Sequence, residues 1–294
     1  MKVRQTTSDR IVSIVIYVIL ILAAVTCLYP LYLVLISSLS APGEVGQGHV
    51  LLNPIGWTMK AYVEAFSTDS ILIGYRNSLF YVVVGTMLNM VLTIPVAYSL
   101  AHPKVKGRSV IMKILLFTMY FSGGMIPTFI LKSELGLLNT VWAVLFTGAC
   151  STYNLIIARS FFMSGVPREL EEAAEIDGCT PLQTFLQIVL PLSKAMLSVI
   201  LLYYAVARWN DFSSSLYYQP SADHLHSLQM VLRGFITRAN LAASAGSEAA
   251  DYYADVVAQL KYSTIVIASV PLLVIYPFIQ KYFEKGVMLG SVKG

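Results

Sequence analysis

Glu169, Glu171 and Glu172 stand just behind Pro167, and Glu172 opens a run of Glu172, Ala173, Ala174, Asp177 and Gly178 that closes on Ile188, Leu190 and Pro191. Carboxylates on a short polar segment can pair with cations of another protein, and adjacent alanines let that surface come close. The spacing predicts a docking surface for a partner. A second polar cluster, Arg208, Trp209, Asn210 and Asp211, lies among Tyr203, Tyr204, Phe212, Tyr217 and Tyr218. Aromatic faces suit sugar rings, and Asn210 and Asp211 can exchange hydrogen bonds with hydroxyls, so these residues are candidates to line a path for a solute. An Arg208–Asp211 pair at i and i+3 spacing that only holds two helices together explains the same residues. His224 and His226 have no cysteine or carboxylate cluster beside them, so no metal site is expected, and Cys27, Cys150 and Cys179 lie too far apart in the pattern to form a disulfide framework.

The elements that carry these groups follow from composition. Of 294 residues, 56% are hydrophobic and only 12% charged, with a mean hydropathy of +0.69, which is too few charges to solvate a globule of this size. The expectation is an all-α integral membrane protein, one domain over residues 1–294. Six spans are read at Ile11 to Leu39, Ile71 to Leu100, Ser109 to Leu131, Val141 to Met163, Ser193 to Tyr217 and Tyr262 to Phe283. Lys2, Arg4, Arg10, Lys104, Lys106, Arg108, Lys113, Arg159, Arg168, Lys194, Lys281, Lys285 and Lys293 all fall in alternate connecting segments or at span ends on that side. The positive-inside rule then puts both termini and the acidic segment, residues 164–191, in the cytoplasm. The first apolar stretch runs to Leu39 without a convincing cleavage site, so a removed signal peptide is not expected. The net charge of +4 reflects this topology and not a nucleic-acid partner, because the basic residues are spread over several segments.

Within the acidic segment, Pro167 suits the first turn of a helix, and the glutamates complement its positive end. Gly178 supplies a residue able to take positive φ and stop it. Thr180, Pro181 and Gln183 form a capping-box start, and the second helix runs through Phe185 and Ile188 until Pro191 redirects the chain. The segment is predicted as helix, turn, helix. On the far side, residues 40–70 read as a loop with a short interfacial helix, and Leu225, Leu228, Leu232, Phe235 and Ile236 predict an amphipathic helix. Arg208, Arg233, Arg238 and Lys261 on that side would attract an acidic solute, or equally meet a partner protein or lipid headgroups.

Some activities are excluded. The chain has no Gly-Lys dipeptide, so it cannot form the phosphate-cradling loop of an ATPase of that kind. Asp211 is the one acid within the expected spans, which leaves little for an ion-coupled secondary transporter of small solutes, the alternative reading. A membrane hydrolase lacks a base, since no histidine lies within a span and His102 only borders one.

Taken together, Glu172, Ala173, Ala174, Asp177, Gly178, Ile188, Leu190 and Pro191 stand at the spacing of the Glu-Ala-Ala loop, and the chain resembles the permeases of bacterial binding-protein-dependent ABC importers. The likeness extends to the carbohydrate-uptake group, maltose permeases included, through Phe121-Ser122-Gly123-Gly124, Asn154 to Arg159 and the tail from Lys281 to Gly294. It is most similar to the subgroup serving complex and acidic oligosaccharides such as aldouronates or alginate fragments. Cys179 replaces a commoner alanine. The resemblance implies a type I importer permease in the bacterial inner membrane, without catalytic residues. It also implies a homologous six-helix permease as the other half of the pore, a cytoplasmic ATPase dimer that holds ATP and Mg, and an extracytoplasmic solute-binding protein. Glu172 and Gly178 inherit the roles of pairing with a basic residue of the ATPase and of making the turn. Lys285, Gly286, Gly290, Lys293 and Gly294 are the candidates for a second, weaker contact.

Overall fold

The computed structural model describes residues 7–244 and 259–274, and every regular element among them is helical. Contacts divide the described residues into two compact units, one from residues 7–68, 232–244 and 259–269, the other from residues 69–231 and 270–274.

In the first unit, α1 (Thr7–Ser38) is apolar all round, with a mean hydropathy of 3.0 over its most apolar window. None of that window is buried within the chain, as expected of side chains that meet lipid. The connection that follows carries a single turn, α2 (Pro42–Gly46), and α3 (Lys60–Ser67), the short helix read from the sequence. Ser38 and Tyr62 hydroxyls share a hydrogen bond of 2.7 Å, and the Gln259 amide donates to the Ser40 carbonyl at 2.6 Å.

The second unit is built on α4 (Asp69–Ala101). Gly85, Asn89, Thr93 and Ala97 recur every fourth residue on its buried face, so other helices come close along a stripe of small and polar groups. Where spans Ile11 to Leu39 and Ile71 to Leu100 were expected, α1 and α4 are each long and apolar enough to cross a membrane. The third is not straight: α5 (Arg108–Tyr120) and α6 (Met125–Glu134) meet at 110°, because Gly124 takes φ +90°, a conformation that side chains disfavour. The fourth expected span, Val141 to Met163, is also broken. It consists of α7 (Val141–Leu145), a turn through Gly148 at φ +62°, and α8 (Thr152–Ser164), which Ser151 caps through its side chain.

Beyond α9 (Arg168–Ile176), α10 (Pro181–Leu192) widens to a π-turn over Phe185–Val189 and meets α11 (Lys194–Trp209) at 84°. The helix expected from Ser193 to Tyr217 therefore ends at Trp209, and a separate helix, α12 (Ser213–Tyr218), follows. The expected amphipathic helix is α13 (Leu228–Ser244), preceded by a short turn that holds Leu225. Gly74 makes room for it: a β-carbon there would lie 3.1 Å from Leu228 Cα. The last expected span corresponds to α14 (Gln259–Val274) as far as residue 274, and its remainder lies outside the described residues. By length and apolarity two described helices can cross a membrane, or four if each bent pair is one span. The core of this unit lies between α4, α8, α10 and α11, where Ala97, Leu155, Ala158, Val189 and Ile200 are almost wholly buried.

Candidate functional site

The acidic segment folds as its residues dictate. Acids in the first turn of α9 complement the helix dipole, and the end is a Schellman motif. Cys179 N–H donates to the Ala174 carbonyl at 2.9 Å and Gly178 N–H to that of Glu175 at 3.2 Å, with Gly178 at φ +81°. The capping box then starts α10. Gln183 N–H donates to the Thr180 hydroxyl at 3.4 Å, while Thr180 N–H donates to the Gln183 side-chain oxygen at 2.8 Å.

This bend is tied to the end of α4. Arg159 donates to the Leu100 carbonyl, and Arg108 and Arg168 donate to that of Ala101, so three cations cap one helix C-terminus. Tyr98 donates to Glu171 at 3.3 Å, His102 lies 3.4 Å from the same carboxylate, and Lys104 reaches Glu175 at 2.8 Å. The last contact holds the Glu175 carboxyl below, and the Lys104 amine above, its ordinary pKa.

Glu172, Ala173, Asp177, Gly178 and Pro191 are exposed, whereas Ile188 and Leu190 are half-buried. The two alanines divide: Ala173 is open, but Ala174 is 4% exposed and faces inward, so it anchors α9 instead of widening the outer surface. Sequence reasoning missed the apolar residues on this bend. Ile176, 86% exposed, and Leu182 project from it, and the available signal was an isoleucine four residues beyond Glu172 in an otherwise polar helix.

The second polar cluster borders a cavity of about 930 Å³ lined by α4, α8, α11 and the α7–α8 turn. Tyr204, 3% exposed, shares a 2.6 Å hydrogen bond with the Thr93 hydroxyl and receives one from Ser151 N–H at 3.0 Å. Arg208, 6% exposed, does not pair with Asp211. It donates to the carbonyls of Val144 and Leu145 and to Asn89 Oδ1 at 2.8–2.9 Å. Lys132 adds a second cation at the same helix end through the Ala143 carbonyl and the Thr147 hydroxyl, with its Nζ 3.4 Å from the centre of the Tyr218 ring. The five-residue α7 thus ends on two cations, which meets carbonyls that no further turn of helix could satisfy.

Asp211 accepts from Ser214 N–H at 3.0 Å and so starts α12, while the Asn210 amide donates to the Val206 carbonyl. Trp209 turns to the other face of α11. It packs edge-on to Tyr75 at 5.8 Å and lines an apolar cavity of about 580 Å³, so it does not border the polar one. Asn89 and Asn154, which do border it, were not singled out for this role by the sequence. The tail residues Lys285, Gly286, Gly290, Lys293 and Gly294 lie outside the described residues.

A profile for the binding-protein-dependent transport system inner membrane component family matches residues 69–289. The chain belongs to this family. The permease is 42% identical over 274 residues to Protein LplC of Bacillus subtilis, spanning 92% of this chain and 90% of that protein. It is 39% identical to the polygalacturonan/rhamnogalacturonan transport system permease protein YtcP of the same organism, over 97% of this chain and 99% of that one. Among solved structures, a chain of a bacterial ABC transporter involved in the import of the acidic polysaccharide alginate superposes with a TM-score of 0.84 at 31% identity, covering 96% of this chain and all of that one. The protein is therefore a multi-pass inner-membrane permease of an ABC importer, and the ion-coupled alternative is not favoured.

Proposed function

We propose that the permease forms half of the pore of an importer for oligosaccharides, uronate-containing ones among them, and that α9 is its coupling helix to a cytoplasmic ATPase. The observation that carries the coupling reading is the outer face of α9. Glu172, Ala173, Ile176 and Asp177 stand free on a helix whose inner side is fixed to α4 through Glu171 and Glu175. A helix held rigidly on one side and bare on the other suits a partner that pushes on it. ATP and Mg belong to that partner, whose closure draws two such helices together, one from this chain and one from a related permease. The bundle then opens outward to receive a saccharide from a solute-binding protein. Both termini and the α9–α10 bend face the cytoplasm in this scheme, as the basic residues suggest.

The saccharide reading is supported by the names of the relatives and by a cavity rich in hydroxyl, amide and aromatic groups. The test of coupling is Glu172→Lys in the reconstituted importer. The variant inserts and melts as the parent does, yet uptake and binding-protein-stimulated ATP hydrolysis fall together, because like charge opposes the basic groove of the ATPase. Undiminished uptake by that variant removes the assignment.

A further inference from the structure

The polar cavity contains more hydrogen-bonding capacity than the protein itself uses. Asn154, on the first turn of α8, is 6% exposed, and its side-chain amide has no hydrogen-bond partner among the described residues although it borders the cavity. Asn89 is 1% exposed, and its Oδ1 accepts from Arg208. One Asp211 oxygen accepts from Ser214 N–H, and Asp211 has no ion-pair partner among the described residues. An amide that opens onto a cavity and takes no partner from its own chain is available to a ligand that supplies both a donor and an acceptor. Vicinal sugar hydroxyls do both, and the half-exposed ring of Tyr203 offers a face for the sugar's C–H surface.

Charge decides what part of the sugar meets this wall. Among the described residues Arg208 is the only basic one lining the cavity, and three of its N–H groups already end on Val144, Leu145 and Asn89 oxygens; Lys132, behind the lining residue Thr147, is likewise engaged by the Thr147 hydroxyl and the Ala143 carbonyl. Asp211 is the other ionisable group of opposite sign there, and it repels a carboxylate. We infer that the wall formed by Asn154, Asn89 and Asp211 is a saccharide subsite that reads hydroxyls and turns the carboxylate of an acidic sugar away from itself. This rests on the oligosaccharide-importer reading and adds to it the part of the substrate that this subunit recognises.

The test uses the complete importer in nanodiscs, with both permease chains and the ATPase, and equilibrium binding of labelled trigalacturonate and of its neutral methyl ester. The parent is expected to bind acid and ester within about threefold of each other. Asn154→Leu weakens both about tenfold, the loss of roughly one to two neutral hydrogen bonds, while its co-purification with the ATPase is unchanged. Asn154→Asp places a new negative charge at the subsite and leaves the acid-to-ester ratio within twofold. A ratio that falls tenfold in Asn154→Asp, or a parent that prefers the acid tenfold, puts the carboxylate at this wall and overturns the inference. So does Asn154→Leu binding both as the parent does. An importer that neither binds nor transports either saccharide refutes the oligosaccharide reading itself, a result distinct from those three.

Discussion

Ile176 offers a quantitative test of the α9 surface. Complete burial of an isoleucine side chain is worth about 1.5–3 kcal/mol. Because Ile176 keeps 86% of its surface in solvent, nearly all of that remains available to a partner, about 1.3–2.6 kcal/mol. At about 1.4 kcal/mol per tenfold change in affinity, Ile176→Ser should weaken ATPase binding roughly ten- to seventyfold. The assay is titration of purified ATPase onto the permease pair in nanodiscs, with dissociation followed by interferometry. The loss should appear mainly in the dissociation rate, since no long-range charge is altered. The thermal melt of the permease pair alone should not move, because the side chain makes little contact within its own chain. A change in affinity below twofold would refute the reasoning, since it would mean that Ile176 still faces water in the complex.

Two further outcomes are expected. Gly85→Val should lower the melting temperature by several degrees: even a bare β-carbon at that position would sit 2.9 Å from Arg208 Nε, and the guanidinium cannot retreat without leaving Asn89, Val144 and Leu145; an unchanged melt would show that the helix pair has slack. The Lys104–Glu175 tie should persist across about pH 7 to 9 and dissolve in acid. Glu175 has a depressed pKa, so its contribution is present above the ordinary carboxylate range and disappears as pH falls through the lowered value; the raised Lys104 pKa extends the tie on the alkaline side. Both groups are exposed, so high salt should mimic acid. A spin label on Cys179, with Cys27 and Cys150 replaced by serine, reads the mobility of the bend, and a mobility that changes between pH 7 and 9 would contradict this account.

How much of this was legible in the sequence differs by element. The α9–α10 bend could be read almost residue by residue, because Gly178, Thr180, Pro181 and Gln183 act through their own backbone and nearest neighbours. The straight spans α1 and α4 were legible from continuous apolarity. The breaks were not. Phe121 to Gly124 lies in an apolar run that hydropathy reads as one helix, yet it bends by 110°. The division of α7 from α8 depends on Lys132 and Arg208 arriving from distant segments to cap the exposed carbonyls. The same distance explains why the Arg208–Asp211 alternative does not form: i and i+3 spacing suggested it, but Val144, Leu145 and Asn89 lie closer in space. Trp209 was assigned to the solute path from its neighbours in sequence, although consecutive residues on a helix point about 100° apart.

The position of α4 relates these parts to one another. Its C-terminal carbonyls and the flanking His102 and Lys104 are fixed to α9 by arginine caps and carboxylate contacts, while Asn89, twelve residues earlier and about 18 Å along the axis, grips Arg208 at the polar cavity. A helix with a packed face transmits a displacement without needing a chain of separate switches. Movement of α9 must therefore either carry α4 with it or break the Glu171 and Glu175 contacts. Carrying α4 shifts Asn89 against Arg208, which also holds the end of α7 and so the turn that leads to Asn154. On this arrangement, a push on the exposed face of α9 would alter the wall of the polar cavity through one helix, and cutting the ties at Lys104 and His102 should uncouple ATP hydrolysis from transport while leaving intact the ATPase affinity proposed for Ile176 and Glu172.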